Sequence, residues 1–165
     1  MSGQIAASLI PELRHEAVST RKLLERLPVA KRDWAPHPKS FTMGKLATHI
    51  AQLAGWTGVT CTTDELDLNQ PYPAPEWTTN AELVAVFDIY HGQAIQALGA
   101  TSDADMMKPW TLKHGEQLLF TMPKIQVIRG FCLNHFVHHR GQLSVYLRVN
   151  DVPLPNMYGP TADEQ

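Results

Sequence analysis

The chain has 165 residues, enough for one real core and short for two, so a single domain over residues 1–165 is expected. Fourteen Lys and Arg against 16 Asp and Glu give a formal charge of −2, which argues against a general phosphate-binding surface and so against nucleic acid as a partner. The first residues lack the basic and apolar segments of a signal peptide, and no stretch approaches the roughly 18 uninterrupted apolar residues of a membrane span. A cytoplasmic protein is expected, with Cys61 and Cys132 as free thiols because no CxxC spacing or disulfide framework is present.

Proline clusters at Pro28, Pro36 and Pro38, at Pro71, Pro73 and Pro75, and at Pro153, Pro155 and Pro160 separate segments with helical periodicity. The first spans about residues 10–27, with Leu13, Ala17, Leu24 and Leu27 on one stripe; Pro11 suits its opening turn. The second follows Thr42, a predicted N-cap, and carries Leu46, Ile50, Leu53 and Trp56 or Thr57 inward, with His49 inside that stripe. The third opens at Thr78 or Thr79 with Glu82 in its first turn, turns Leu83, Phe87, Tyr90, Ala94 and Leu98 inward, and is closed by Gly99.

The runs "WTL" and "QLLFT" can pair as a short hairpin. The longest periodic run comes next, with Pro123 at its first helical position and Ile125, Ile128, Cys132, His135, His139, Leu143 and Tyr146 in steps of three and four. The tail from Asp151 is irregular. Four such helices predict an all-α four-helix bundle.

His135 and His139, at i and i+4, put two imidazoles one turn apart on the apolar face. Such a pair either grips a metal ion or forms part of a hydrogen-bonded core. His49 tips the balance, because a histidine buried alone in another helix's stripe is costly. Three inward histidines from two helices supply a three-histidine metal site with positions left for water or substrate, which is catalytic in type. His138 falls off the stripe and is expected to flank the site, and His91 lies at the boundary of its helix. His15, His37 and His114 read as solvated, and Cys132 as a small core thiol beside the pair. Phe136 stands where an HExxH protease carries its glutamate base, so peptidase chemistry of that kind is disfavoured. Without an evident carboxylate base, the pattern suits a nucleophile that the metal itself acidifies and the substrate brings. Trp56, Tyr90 and Tyr146 can line the mouth of such a site or pack in the core. Arg140, Gln142 and the turn Tyr158-Gly159-Pro160 are expected to pack the tail on the last helix.

The segment "HFVHHRGQLSVYLRVNDVPLPNMYGPTADE" resembles the C-terminal signature of the DinB-like (YfiT-type) metal-dependent enzymes, through His135, the run His138-His139-Arg140-Gly141-Gln142, Tyr146-Leu147-Arg148 and Tyr158-Gly159-Pro160. "GKLATHIAQLAGW" resembles that family's second helix, and the likeness extends to "PHPKSFTMGKL" and "KPW". The resemblance implies a four-helix bundle, one divalent metal ion, usually nickel or zinc, held by His49, His135 and His139, and commonly a homodimer. It further implies transfer of a low-molecular-weight thiol to a small electrophile, since characterised relatives include bacillithiol S-transferases and a mycothiol-dependent isomerase. The competing readings are a hydrolase using metal-activated water and a non-catalytic metal-binding or stress-response module. The substrate is expected to be a small molecule.

Overall fold

The computed structural model describes residues 3–72 and 74–164. Four long helices carry the fold: α1 (Gln4–Glu25), α2 (Met43–Thr62), α3 (Asn80–Ala100) and α4 (Asn134–Val149), with a small sheet set between α3 and α4. This is the expected bundle. No helix among the described residues is long and apolar enough to cross a membrane.

Local signals explain most boundaries. The Thr42 side chain accepts from the Lys45 N–H to cap α2, and Thr79 with Glu82 forms a capping box at α3. α3 continues past Gly99 to Ala100, where the Thr101 N–H bonds the Leu98 carbonyl. α1 differs more from expectation. It begins at Gln4, six residues earlier, and encloses Pro11 within the helix. Its first turn is capped from afar, by the Asp103 carboxylate accepting from Gln4 and Ile5 N–H at 3.0 and 2.9 Å. A Cβ on Gly3 would collide with that carboxylate, so glycine there permits the cap. Pro11 lies on the exposed side.

The helices close around Leu23, Leu24, Leu46, Ile50, Leu53, Leu83, Phe87, Leu143 and Leu147, each 2% exposed or less. α2 and α3 approach where Gly58 faces Ala94, since a Cβ on Gly58 would lie 3.3 Å from the Ala94 Cα. Tyr90, expected inward, is half-buried and packs on Gly55.

The hairpin forms as β2 (Pro109–His114) and β3 (Gln117–Pro123), antiparallel with Trp110 opposite Met122, and Gly115 takes the left-handed turn position at φ 59°. A third strand, β1 (Glu65–Asp67), pairs parallel to β2 and was not expected. Buried Lys124 fastens this region to α2, donating to the carbonyls of Thr63 at 2.6 Å and Cys61 at 3.3 Å. These are end groups of α2 that would otherwise lack partners.

The last helical run is not uniform. Pro123 ends β3 and serves as N-cap rather than first helical residue; a short turn, Lys124–Gln126, leads into a π-helix over Val127–Leu133 and then into α4. Wider π turns change the phase of the residues beyond them, and here they lie immediately before His135.

Candidate metal centre

α2 projects His49, and α4 projects His135 and His139 toward it. One nitrogen from each ring falls within 4.8 Å of the others, and no cysteine or carboxylate among the described residues joins this group. The ring centroids are 4.8 Å apart for His49–His139, 5.2 Å for His49–His135 and 4.6 Å for His135–His139. His135 Nε2 and His139 Nε2 face each other at 2.8 Å.

Hydrogen bonding orients the group. His139 Nδ1 lies 2.7 Å from Gln142 Oε1, and because an amide oxygen only accepts, Nδ1 holds the proton and Nε2 keeps its lone pair. Thr48, beside His49, donates to the Gly44 carbonyl and accepts from the Trp77 indole at 2.8 Å, which ties this turn of α2 to the 74–78 loop. Aromatic rings wall the cluster. Phe41 stacks toward His139 and meets His49 edge-on; Trp56 meets His49 and His135, and Phe131 stacks on Trp56 at 5.1 Å. Tyr146 donates to the Phe41 carbonyl at 3.2 Å and so holds that wall.

All three imidazoles are biased toward the neutral form that a metal requires. Burial, followed by the neighbouring His139 and His135, pulls His49 down to about 4. Burial also lowers His135, with His139 adding to it and the Phe131 carbonyl opposing it without hydrogen-bond geometry to the ring. For His139 burial again dominates and Gln142 opposes.

The donor set fits a divalent cation. Two nitrogens on one ion, bonded at about 2.0–2.1 Å, sit roughly 2.9–3.4 Å apart, close to the 2.8 Å between the two Nε2 atoms. A cation in place of the proton shared between them would meet a lone pair from each. Beside the group, His135 Nδ1, the nitrogen turned away from that position, and the donor-only Trp56 Nε1 are buried without a partner among the described residues. The group could therefore hold a metal ion. Neutral imidazoles accept zinc, nickel, copper and iron, so the set does not choose among them.

The other histidines stay apart. His138 is exposed, with its ring 5.0 Å from His139 and outside the group. His91 is half-buried, stacks on Phe87 and lies 3.3 Å from the Leu13 carbonyl. His15, His37 and His114 are exposed. Buried Cys132 contacts the Thr60 hydroxyl at 3.6 Å, and burial pushes its thiol up to about 12, so it is protonated at neutral pH and is neither ligand nor nucleophile there. Burial also raises the half-buried Cys61. Of the expected mouth residues, Trp56 forms the wall, Tyr146 supports Phe41, and Tyr90 faces Gly55 instead. Phe41, Phe131 and the orienting role of Gln142 went unread in the sequence. Phe131 and Gln142 each had a spacing signal, i−4 from His135 and i+3 from His139, whereas Phe41 had none.

The model of the DinB superfamily matches residues 12–143, most of the chain. The chain belongs to the DinB superfamily. This DinB-superfamily protein is 32% identical over 156 residues to the uncharacterized protein YrdA of Bacillus subtilis (strain 168), covering 90% of this chain and 85% of that one. Its fold is similar to a DinB-like protein from Bacillus cereus ATCC 10987, with a TM-score of 0.68 at 22% identity over 90% of this chain and 94% of that one. It is similar also to the DinB-like protein YjoA of Bacillus subtilis, with a TM-score of 0.68 at 13% identity over 96% and 99% of the two chains. At these identities the solved structures speak to fold alone.

Proposed function

We propose that this DinB-superfamily protein is a metal-dependent enzyme in which His49, His135 and His139 hold one divalent ion, nickel or zinc, and which transfers a low-molecular-weight thiol to a small electrophile. The observation that carries the reading is the convergence of three neutral imidazoles from two helices, with no carboxylate among them. A divalent ion bound there supplies the Lewis acidity that lowers the pKa of a thiol or water coordinated to it. The protein's own residues do the rest. His139 is held in one tautomer by Gln142. Trp56 and Phe131 pack beside the imidazoles, and with the exposed Phe41 ring they offer an apolar surface to the electrophile. With no side-chain base in the group, the nucleophile's proton passes to solvent through the open side, where His49 meets a cleft of about 970 Å³.

The test loads the protein with nickel or zinc and supplies a small electrophile with cysteine, glutathione or bacillithiol, following the conjugate by mass spectrometry. Conjugate that requires both metal and thiol, and disappears in His135→Ala, is the expected result. Product formed without added thiol would point to hydrolysis instead. Bound metal with no product from any thiol or ester would point to a binding module.

A further inference from the structure

A second cavity lies at the centre of the bundle and shares no lining residue with the cleft at His49. All four long helices reach it: Leu13 from α1, Leu53 and Thr57 from α2, His91 from α3 and Phe136 from α4, with Cys132 from the π-helix. Measured as room for the centre of a water molecule, its volume is about 10 Å³, the space that one water needs and too little for a larger ligand. Most of the lining is apolar, but Thr57, His91 and Cys132 each bring a polar atom. Thr57 singles the cavity out. The other three threonines of α2, Thr48, Thr60 and Thr62, donate to the carbonyl four residues back, at 2.9, 3.0 and 2.9 Å. Thr57 makes no such bond among the described residues, although it is only 1% exposed, and its polar neighbour is the Cys132 thiol. A buried hydroxyl left with one weak partner is costly. Cys132 brings an S–H, because burial pushes its thiol up to about 12. His91 Nε2 lies 3.3 Å from the Leu13 carbonyl, which only accepts, so Nε2 carries the proton of the neutral ring and Nδ1 keeps a lone pair.

We propose that this cavity is a binding site for one ordered water, which joins α2, α3 and the π-helix from inside through Thr57, His91 and Cys132. The three groups complement a water: the hydroxyl gives or accepts a hydrogen bond, the thiol gives one and the imidazole nitrogen accepts one. A buried water typically makes about three such bonds, whereas a wholly apolar cavity stays dry. The site is independent of the metal reading, since none of the three residues belongs to the histidine group.

High-resolution crystallography of wild type beside Thr57→Ser and Thr57→Val reads the site directly. One water within hydrogen-bond distance of Thr57 Oγ1 is expected in wild type, kept in Thr57→Ser and lost in Thr57→Val, where a methyl group takes the place of the hydroxyl. Xenon, which enters dry apolar cavities, should not occupy the wild-type site under pressure. In solution Thr57→Val should lower the urea midpoint, because it strips a shared partner from the thiol and the imidazole. A wild-type cavity without water density, xenon density in its place, or a Thr57→Val midpoint that is unchanged or raised would overturn the proposal. Should Thr57→Val fail to fold, the wild-type water and xenon readings still decide it.

Discussion

His139 and Arg140 are neighbours on α4, yet their side chains enter two different kinds of polar environment. Arg140 is 1% exposed and is matched at every turn: it pairs with the Glu16 carboxylate, donates to the Glu16 carbonyl at 3.0 Å and the Thr20 hydroxyl at 3.4 Å, and donates to the Tyr158 hydroxyl, which itself donates to Glu16 at 2.8 Å. His139, His135 and His49 instead converge on one another, leave His135 Nδ1 buried without a partner among the described residues, and reach a cleft through His49. A closed network of this kind spends its polar capacity on joining the tail and α1 to α4. An open one keeps that capacity for something the chain does not supply. Buried polar groups thus mark a site when their partners are missing, rather than simply when they are buried.

Removing a member of the closed network should give the largest change in stability. Arg140→Ala leaves Glu16 buried without its cation, and the expected cost is about 3–5 kcal/mol, read as a fall in urea midpoint. A loss below about 1 kcal/mol would show that this face is not closed in the sense described. On the open face, Gln142→Ala should weaken nickel or zinc by about 10–100-fold while the metal-free protein keeps its urea midpoint, because the amide orients a ligand and holds up nothing else. Loss of stability without loss of metal affinity would place Gln142 with Arg140.

Two smaller effects refine the boundary between the faces. His91 is half-buried and that burial lowers its pKa, so the unfolded chain takes up its proton first as pH falls. The stability it favours is complete above the unfolded value of about 6.5 and declines below it, down through the lower folded value. His91→Gln should therefore flatten the fall in the metal-free protein's urea midpoint as pH drops below about 6.5; an unchanged slope would show that His91 does not contribute to that fall. His138→Ala should change metal affinity by less than about twofold, the level of an exposed side chain that touches no ligand nitrogen. Emptying of the site by that variant would mean that α4 presents His135 and His138 as its pair.

The four helices and the convergence of His49, His135 and His139 were legible because both depend on spacing along single helices. Steps of three and four put Leu46 and Leu53 with His49, and Leu143 with His139, and those stripes are the buried ones. Contacts made across the chain were not legible. The start of α1 depends on Asp103, nearly a hundred residues away, and local propensity placed the boundary at Pro11 instead. β1 has three residues and exists only by pairing with β2. The π-helix over Val127–Leu133 buries both Ile128 and Cys132, the same residues an α-helical stripe would bury, so periodicity could not reveal it. Phe41, outside any helix, reaches the site through a fold of the chain held by Tyr146.

If the open face is a metal site, elemental analysis of untagged protein will show it, with wild type measured beside His49→Ala, His135→Ala and His139→Ala. Near-stoichiometric metal is expected in wild type, with most of it lost in each variant while helix content by circular dichroism is retained. Wild type that stays empty after incubation with nickel or zinc would contradict it, and full occupancy in any one variant would strike that histidine from the ligand set.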